Sequence, residues 1–150
     1  MGQTSSGASA REASARERPF VVLHVEDDEE LGARVAGLLR AQGLEALTAI
    51  DGPSALARVA HCEDVPDVLI IDFNLPGEMN GADVAQEICR CLGHVVPTIF
   101  LSAELSNAEM PWLPGAPLLF VAKPVDAELL VKIVESFAAL GRYIRSRPHH

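Results

Sequence analysis

Residues Val68 to Ile71 form an unbroken apolar run that ends in Asp72. The run is too short for a helix. A strand without polar alternation must be covered on both faces, as a central strand of a parallel sheet is. Four further strands are predicted around it, at Phe20–Val25, Leu44–Ile50, Thr98–Leu101 and Leu118–Ala122. Between them apolar residues return at helical spacing. Leu31, Val35, Leu38 and Leu39 define a first helix, with Gly43 as its C-terminal cap. The turn Asp51-Gly52-Pro53 opens a second, with Leu56 and Val59 inward. A third runs from about Ala82 to Leu92 and buries Val84, Ile88 and Cys91. Asp126 caps a last one, which carries Leu130, Ile133, Val134 and Phe137 and ends near Gly141. This alternation predicts a doubly wound α/β fold, a five-stranded parallel sheet with helices on both faces.

Ligands of such sheets bind beyond the carboxyl ends of the strands. Strand one ends in Glu26-Asp27-Asp28, strand three in Asp72, strand four in Ser102 and strand five in Lys123-Pro124. Each alone is an ordinary loop residue. Together they deliver carboxylates, a hydroxyl and an ammonium to one sheet edge. Crowded carboxylates repel one another unless a cation intervenes. Magnesium prefers oxygen donors and keeps several waters, so one or two carboxylates suffice. An Asp in that setting can attack phosphorus and become an acyl phosphate. A Lys ammonium adds a point charge at a phosphate oxygen, and a Ser hydroxyl can donate to another.

The runs Val22-Leu23-His24-Val25-Glu26-Asp27-Asp28, Asp72-Phe73-Asn74-Leu75-Pro76-Gly77, Ser102-Ala103-Glu104 and Lys123-Pro124 resemble the receiver domains of bacterial two-component response regulators. The resemblance covers roughly Phe20 to Leu140. It implies the CheY-like strand order 2-1-3-4-5. It also implies a Mg²⁺-dependent switch, with Asp72 accepting a phosphoryl group from a sensor histidine kinase or phosphotransfer protein. Asp27 and Asp72 would hold the metal, Glu26 would act through water, and Asn74 would offer its backbone carbonyl. Lys123 would bind the phosphoryl group, with a cis bond to Pro124. Ser102 would report phosphorylation, and Phe120 stands at the place of the family's switch aromatic. The side chains of Asn74 and Glu104 would tune autodephosphorylation. The domain then spans 19–141, between a disordered N-terminal tail (1–18) and a C-terminal tail (142–150).

Two rival functions remain. A magnesium-dependent aspartyl phosphohydrolase usually places a second Asp two residues after its nucleophile; Asn74 stands there. A phosphorylation-independent pseudo-receiver would not need the full set of site residues. The reading is therefore a signalling domain, not an enzyme beyond self-catalysed phosphotransfer and autodephosphorylation. Too few residues follow the last helix for an output module, so a protein contact is expected to carry the output.

One departure from the family concerns the helix usually found between strands four and five. Pro111, Pro114 and Pro117 interrupt Glu104–Pro117, so this fourth helix is expected to be short or missing. That puts the family's usual homodimer in doubt. Trp112 is expected to fill the gap, or to form a partner patch with Met110 and Leu113.

Net charge is −9, and the stretch Phe20–Gly141 carries 6 basic against 19 acidic residues. Such a surface repels nucleic acid. No apolar run approaches the roughly 18 residues a membrane span needs. Cys62, Cys89 and Cys91 have no disulfide-framework spacing, which suits a reducing cytosol. Cys89 and Cys91 lie about 200° apart on a helix, which argues against zinc there. His24, inside a buried strand, is expected to be a structural imidazole.

Overall fold

The computed structural model describes residues 18–61, 65–104 and 113–147. Five parallel strands, β1 (Val21–Val25), β2 (Glu45–Ala49), β3 (Val68–Asp72), β4 (Thr98–Ser102) and β5 (Leu118–Ala122), form one sheet. Its order is β2-β1-β3-β4-β5, as the resemblance implies. Four helices cover it: α1 (Glu29–Ala41), α2 (Gly52–His61), α3 (Gly81–Leu92) and α4 (Ala127–Ser146). On one face Val22, Ile70, Ile99 and Leu101 meet Val35 and Leu39 of α1 and Leu130 and Val134 of α4. On the other, Leu23, Leu69, Ile71 and Phe100 meet Ala55 of α2 and Val84 and Ile88 of α3. β1, β3 and β4 are buried along their whole length, which is why their sequences are nearly continuous apolar runs.

Each helix begins near the carboxyl edge of the sheet, and short side chains fix where. Asp28 accepts the N–H groups of Glu30 and Leu31 at the start of α1. Asn80 and Asp83 form a reciprocal capping box at α3, and Asp126 accepts from Leu129 at α4. After α1 the chain turns through Gly43, whose φ of 86° favours glycine.

Two sequence expectations change. First, α3 buries Val84, Ala85 and Ile88, and this stripe continues through Cys89; Cys91 is exposed. The expected burial of Cys91 placed it on the wrong side of the helix. Second, α4 continues past Gly141 to Ser146, so the expected C-terminal tail begins as helix. Gly141 therefore lies inside the helix. It is buried, and a Cβ there would collide with the Asp67 carbonyl oxygen. The 20-residue helix α4 follows β5 and is the last helix that the sequence predicts, not the one expected to be short or missing. The segment expected to hold a short or missing helix falls largely at residues 105–112, outside the described ones, as do Met110 and Trp112. The described part, 113–117, is a turn, and Leu113 is buried. The expected N-terminal tail lies outside the described residues except for Arg18.

The extension of α4 reaches the sheet end opposite the candidate site. Buried Asp67 accepts the Val21 N–H at 2.9 Å and Arg142 Nη2 at 3.1 Å, and Arg145 Nη2 lies 3.1 Å from its other oxygen. Arg142 also donates to the carbonyl oxygens of Arg18 and Pro19 and stacks 4.5 Å over the Phe20 ring. A backbone donor and two guanidinium charges offset the burial of this carboxylate, with both hydrogen bonds on Oδ2 and only the charge of Arg145 at Oδ1.

Candidate functional site

The register of the sheet assembles the predicted residues. Val25 pairs with Ile71, so Glu26 and Asp72 follow on adjacent strands. Ser102 pairs with Ala122, which places Lys123 at the same edge. Lys123 Nζ lies 3.2 Å from Asp72 Oδ2 and 3.3 Å from Glu26 Oε2. The Lys123–Pro124 bond is cis. Asp72 Oδ1 accepts the Asn74 N–H at 3.0 Å, and Glu26 Oε2 accepts the Asp28 N–H at 3.3 Å. Glu26, Asp27 and Asp72 each bring a carboxylate oxygen within 4.8 Å of the others. Glu26 and Asp72 are buried, and Asp27 is exposed above them.

Electrostatics separates the two buried carboxylates. Burial pushes Glu26 up to about 7, the charge on Asp72 adds to this, and Lys123 only partly offsets it. Burial also acts to raise Asp72, but the Asn74 N–H and the Lys123 ammonium outweigh it, so its pKa is lowered. Burial acts to lower Lys123, but its two carboxylate partners raise it above the ordinary lysine range. Asp72 is therefore the ionised, oriented oxygen donor of the cluster at neutral pH.

The remaining predicted residues surround this centre. The Ser102 hydroxyl is buried; it donates to the Glu104 carbonyl at 3.2 Å and accepts the Glu104 N–H at 3.3 Å. Asn74 is exposed, next to the cluster. Phe120 packs with its ring 5.2 Å from both Phe73 and Phe100. Sequence reasoning missed Gly81. A Cβ there would lie 2.5 Å from the Asp72 carbonyl oxygen, so α3 starts directly against the backbone that carries Asp72. The Gly81 N–H also donates to the Phe73 carbonyl at 3.1 Å. The only local signal was a glycine just after the capping residue Asn80.

The response regulator receiver domain profile matches residues 22–135. The chain belongs to the response regulator receiver domain family. The receiver is 38% identical over 123 residues to the sensory transduction protein RegX3 of Mycobacterium bovis, covering 80% of this chain and 51% of that protein. It is 33% identical over 114 residues to the transcriptional regulatory protein PrrA of Mycobacterium tuberculosis, covering 75% of this chain and 47% of the relative. The receiver thus spans about half the length of these curated relatives. Among solved structures it is similar to the receiver domain of the hybrid histidine kinase CckA, with 30% identity, TM-score 0.65, and coverage of 79% of this chain and 98% of that one. It is also similar to the chemotaxis protein CheY4 of Vibrio cholerae, with 26% identity, TM-score 0.65, and the same coverage. Among the described residues, no helix of the receiver is long and apolar enough to cross a membrane.

Proposed function

We propose that this receiver is a phosphorylation-dependent signalling switch in which Asp72 accepts a phosphoryl group from a histidine kinase or phosphotransfer protein. The observation that carries this reading is the environment of Asp72. It is a buried carboxylate held ionised between an ammonium and a backbone N–H, with two further carboxylates beside it. The donor set fits Mg²⁺, because it is all oxygen: Glu26, Asp27 and Asp72 each bring a carboxylate oxygen within 4.8 Å of the others. Asp27 and Asp72 would hold the ion with the Asn74 carbonyl, and Glu26 would act through water. When bound, the ion spreads the negative charge of the transferring phosphoryl group.

In the transfer, an Asp72 oxygen attacks phosphorus, the bond from phosphorus to the donor imidazole breaks, and its electron pair stays with the imidazole. Lys123, which now faces Asp72 and Glu26, would turn its charge to a phosphoryl oxygen. Ser102 would exchange its contacts with Glu104 for the phosphoryl group, and Phe120 would repack as the active state becomes favoured. The Asn74 and Glu104 side chains would set how readily water reaches the acyl phosphate. Asn74 offers no acid/base carboxyl, which favours a switch over a phosphohydrolase. The acidic surface argues against nucleic acid as the partner of this chain, and a protein contact would carry the output. Histidine kinases and their relays put this work in the cytoplasm.

Beryllofluoride, an acyl-phosphate mimic, tests the reading. Wild type should bind it only with Mg²⁺ present, and Asp72→Asn should not bind it. Equal binding by both proteins would exclude Asp72 as acceptor.

A further inference from the structure

The buried imidazole of His24 has no role in the site as described so far. Its side chain is 0% exposed, and neither ring nitrogen has a hydrogen-bond partner among the described residues. A neutral imidazole carries one N–H donor and one bare acceptor. Leaving both unpaired in an interior is unfavourable. Among the described residues no protein group satisfies either nitrogen.

Glu26 lies two residues further along the chain, and side chains two apart on a strand share a face. Its Oε1 is buried and unpartnered too, 3.9 Å from His24 Nε2. Its Oε2 is already engaged by Lys123 and by the Asp28 N–H. Two complementary unpaired groups therefore face each other across a gap slightly too wide for a hydrogen bond. The surroundings leave room to close it. α1 presents Gly32, Ala33 and Ala36 toward Thr48 and Ala49 of β2, and the resulting cavity of ≈ 270 Å³ is lined by both His24 and Glu26.

We infer that His24 is a positioning residue for Glu26: its Nε2–H closes onto Glu26 Oε1 when the carboxylate cluster holds its divalent cation, keeping Oε2 turned toward that cation. This rests on the metal-dependent reading above. His24 is not itself a ligand. The group of side chains able to share an ion comprises Glu26, Asp27 and Asp72, and a hard cation prefers their oxygens. The contact resembles the outer contacts that orient metal-binding side chains elsewhere.

Three proteins and two measurements decide it. Wild type, His24→Leu and His24→Gln are titrated with Mg²⁺ by calorimetry, and the wild-type imidazole nitrogens are followed by NMR. Wild type should hold the Nε2–H tautomer, and Mg²⁺ should slow exchange of that proton. His24→Leu should bind Mg²⁺ roughly tenfold more weakly, at the low end for loss of such a contact. His24→Gln, which keeps an N–H donor, should recover most of the affinity. A folded His24→Leu with wild-type affinity, or an Nδ1–H tautomer in wild type, would overturn the inference while leaving the metal site standing. If His24→Leu does not fold, the wild-type tautomer and exchange rate decide alone. Absence of Mg²⁺ binding by wild type would overturn both this inference and the reading beneath it.

Discussion

Glu26 and Asp72 are the same kind of group, about equally buried, yet their pKa values move apart. Asp72 has a backbone N–H on one oxygen and the nearer contact with Lys123 on the other. Glu26 shares Lys123, leaves one oxygen unpartnered, and feels the charge of Asp72. The consequence is a pH dependence in the metal-free protein with two opposing parts. Glu26 is raised from 4.5 to about 7, so the folded state binds more protons than the unfolded one in that window. Its contribution is present below 4.5 and lost as pH rises toward 7. His24 is lowered from 6.5 to about 4 by burial above all, so its contribution is present above 6.5 and lost as pH falls toward 4. Between 4.5 and 6.5 the two slopes oppose each other. Glu26→Gln removes only the first. Its denaturant midpoint should climb more steeply than that of wild type as pH rises from 4 to 6.5. Parallel profiles for the two proteins would show that Glu26 titrates normally.

At the scale of elements, α4 and α3 each approach the strand layer through a glycine that periodicity cannot reveal. A reading of Gly141 as a helix end makes Gly141→Ala harmless, or stabilising by about 1 kcal/mol through helix propensity. The structure places Gly141 inside α4 against the Asp67 carbonyl, so the same change should cost about 1–3 kcal/mol in a thermal melt. A melting temperature equal to or above that of wild type would mean that α4 does not pack there. The elements themselves were legible, because short apolar runs, caps and helical spacing are local signals. The candidate site was legible for the same reason: Asp72 and Ser102 end strands of one parallel sheet, and Glu26, Asp27 and Lys123 directly follow two others. The Asp67–Arg142–Arg145 cluster was not. It joins positions 75 residues apart, and nothing in the sequence around Asp67 marks it as buried. The placement of Cys91 failed because the third helix was given too few buried positions to fix its inner face; Ala85 and Gly81 complete that stripe.

Across the whole molecule, charge is sorted by end. Three of the four helices start at the site with acidic first turns, Glu29 and Glu30, Asp83, and Glu128, and all four finish at the far end with Arg40, Arg58, Arg90 or Arg145 in their last. Each placement complements its helix dipole, and together they give the site end an acidic field that attracts cations. Mg²⁺ at a hundred times its Kd should stabilise wild type by about 2.7 kcal/mol, and Asp27→Ala should abolish that gain. Moving from 0.01 M to 0.5 M NaCl should weaken Mg²⁺ binding, because the Debye length falls from about 30 Å to well under 10 Å. Salt-independent affinity would mean that only the nearest carboxylates matter.

Everything proposed for the site turns on Asp72 accepting a phosphoryl group. Its most direct test is the intact mass of wild type and Asp72→Asn after incubation with acetyl phosphate and Mg²⁺. Wild type should gain one phosphoryl group, which is lost when Mg²⁺ is chelated beforehand and absent from Asp72→Asn. An unmodified wild-type mass under all conditions, or an equal adduct on both proteins, would contradict it.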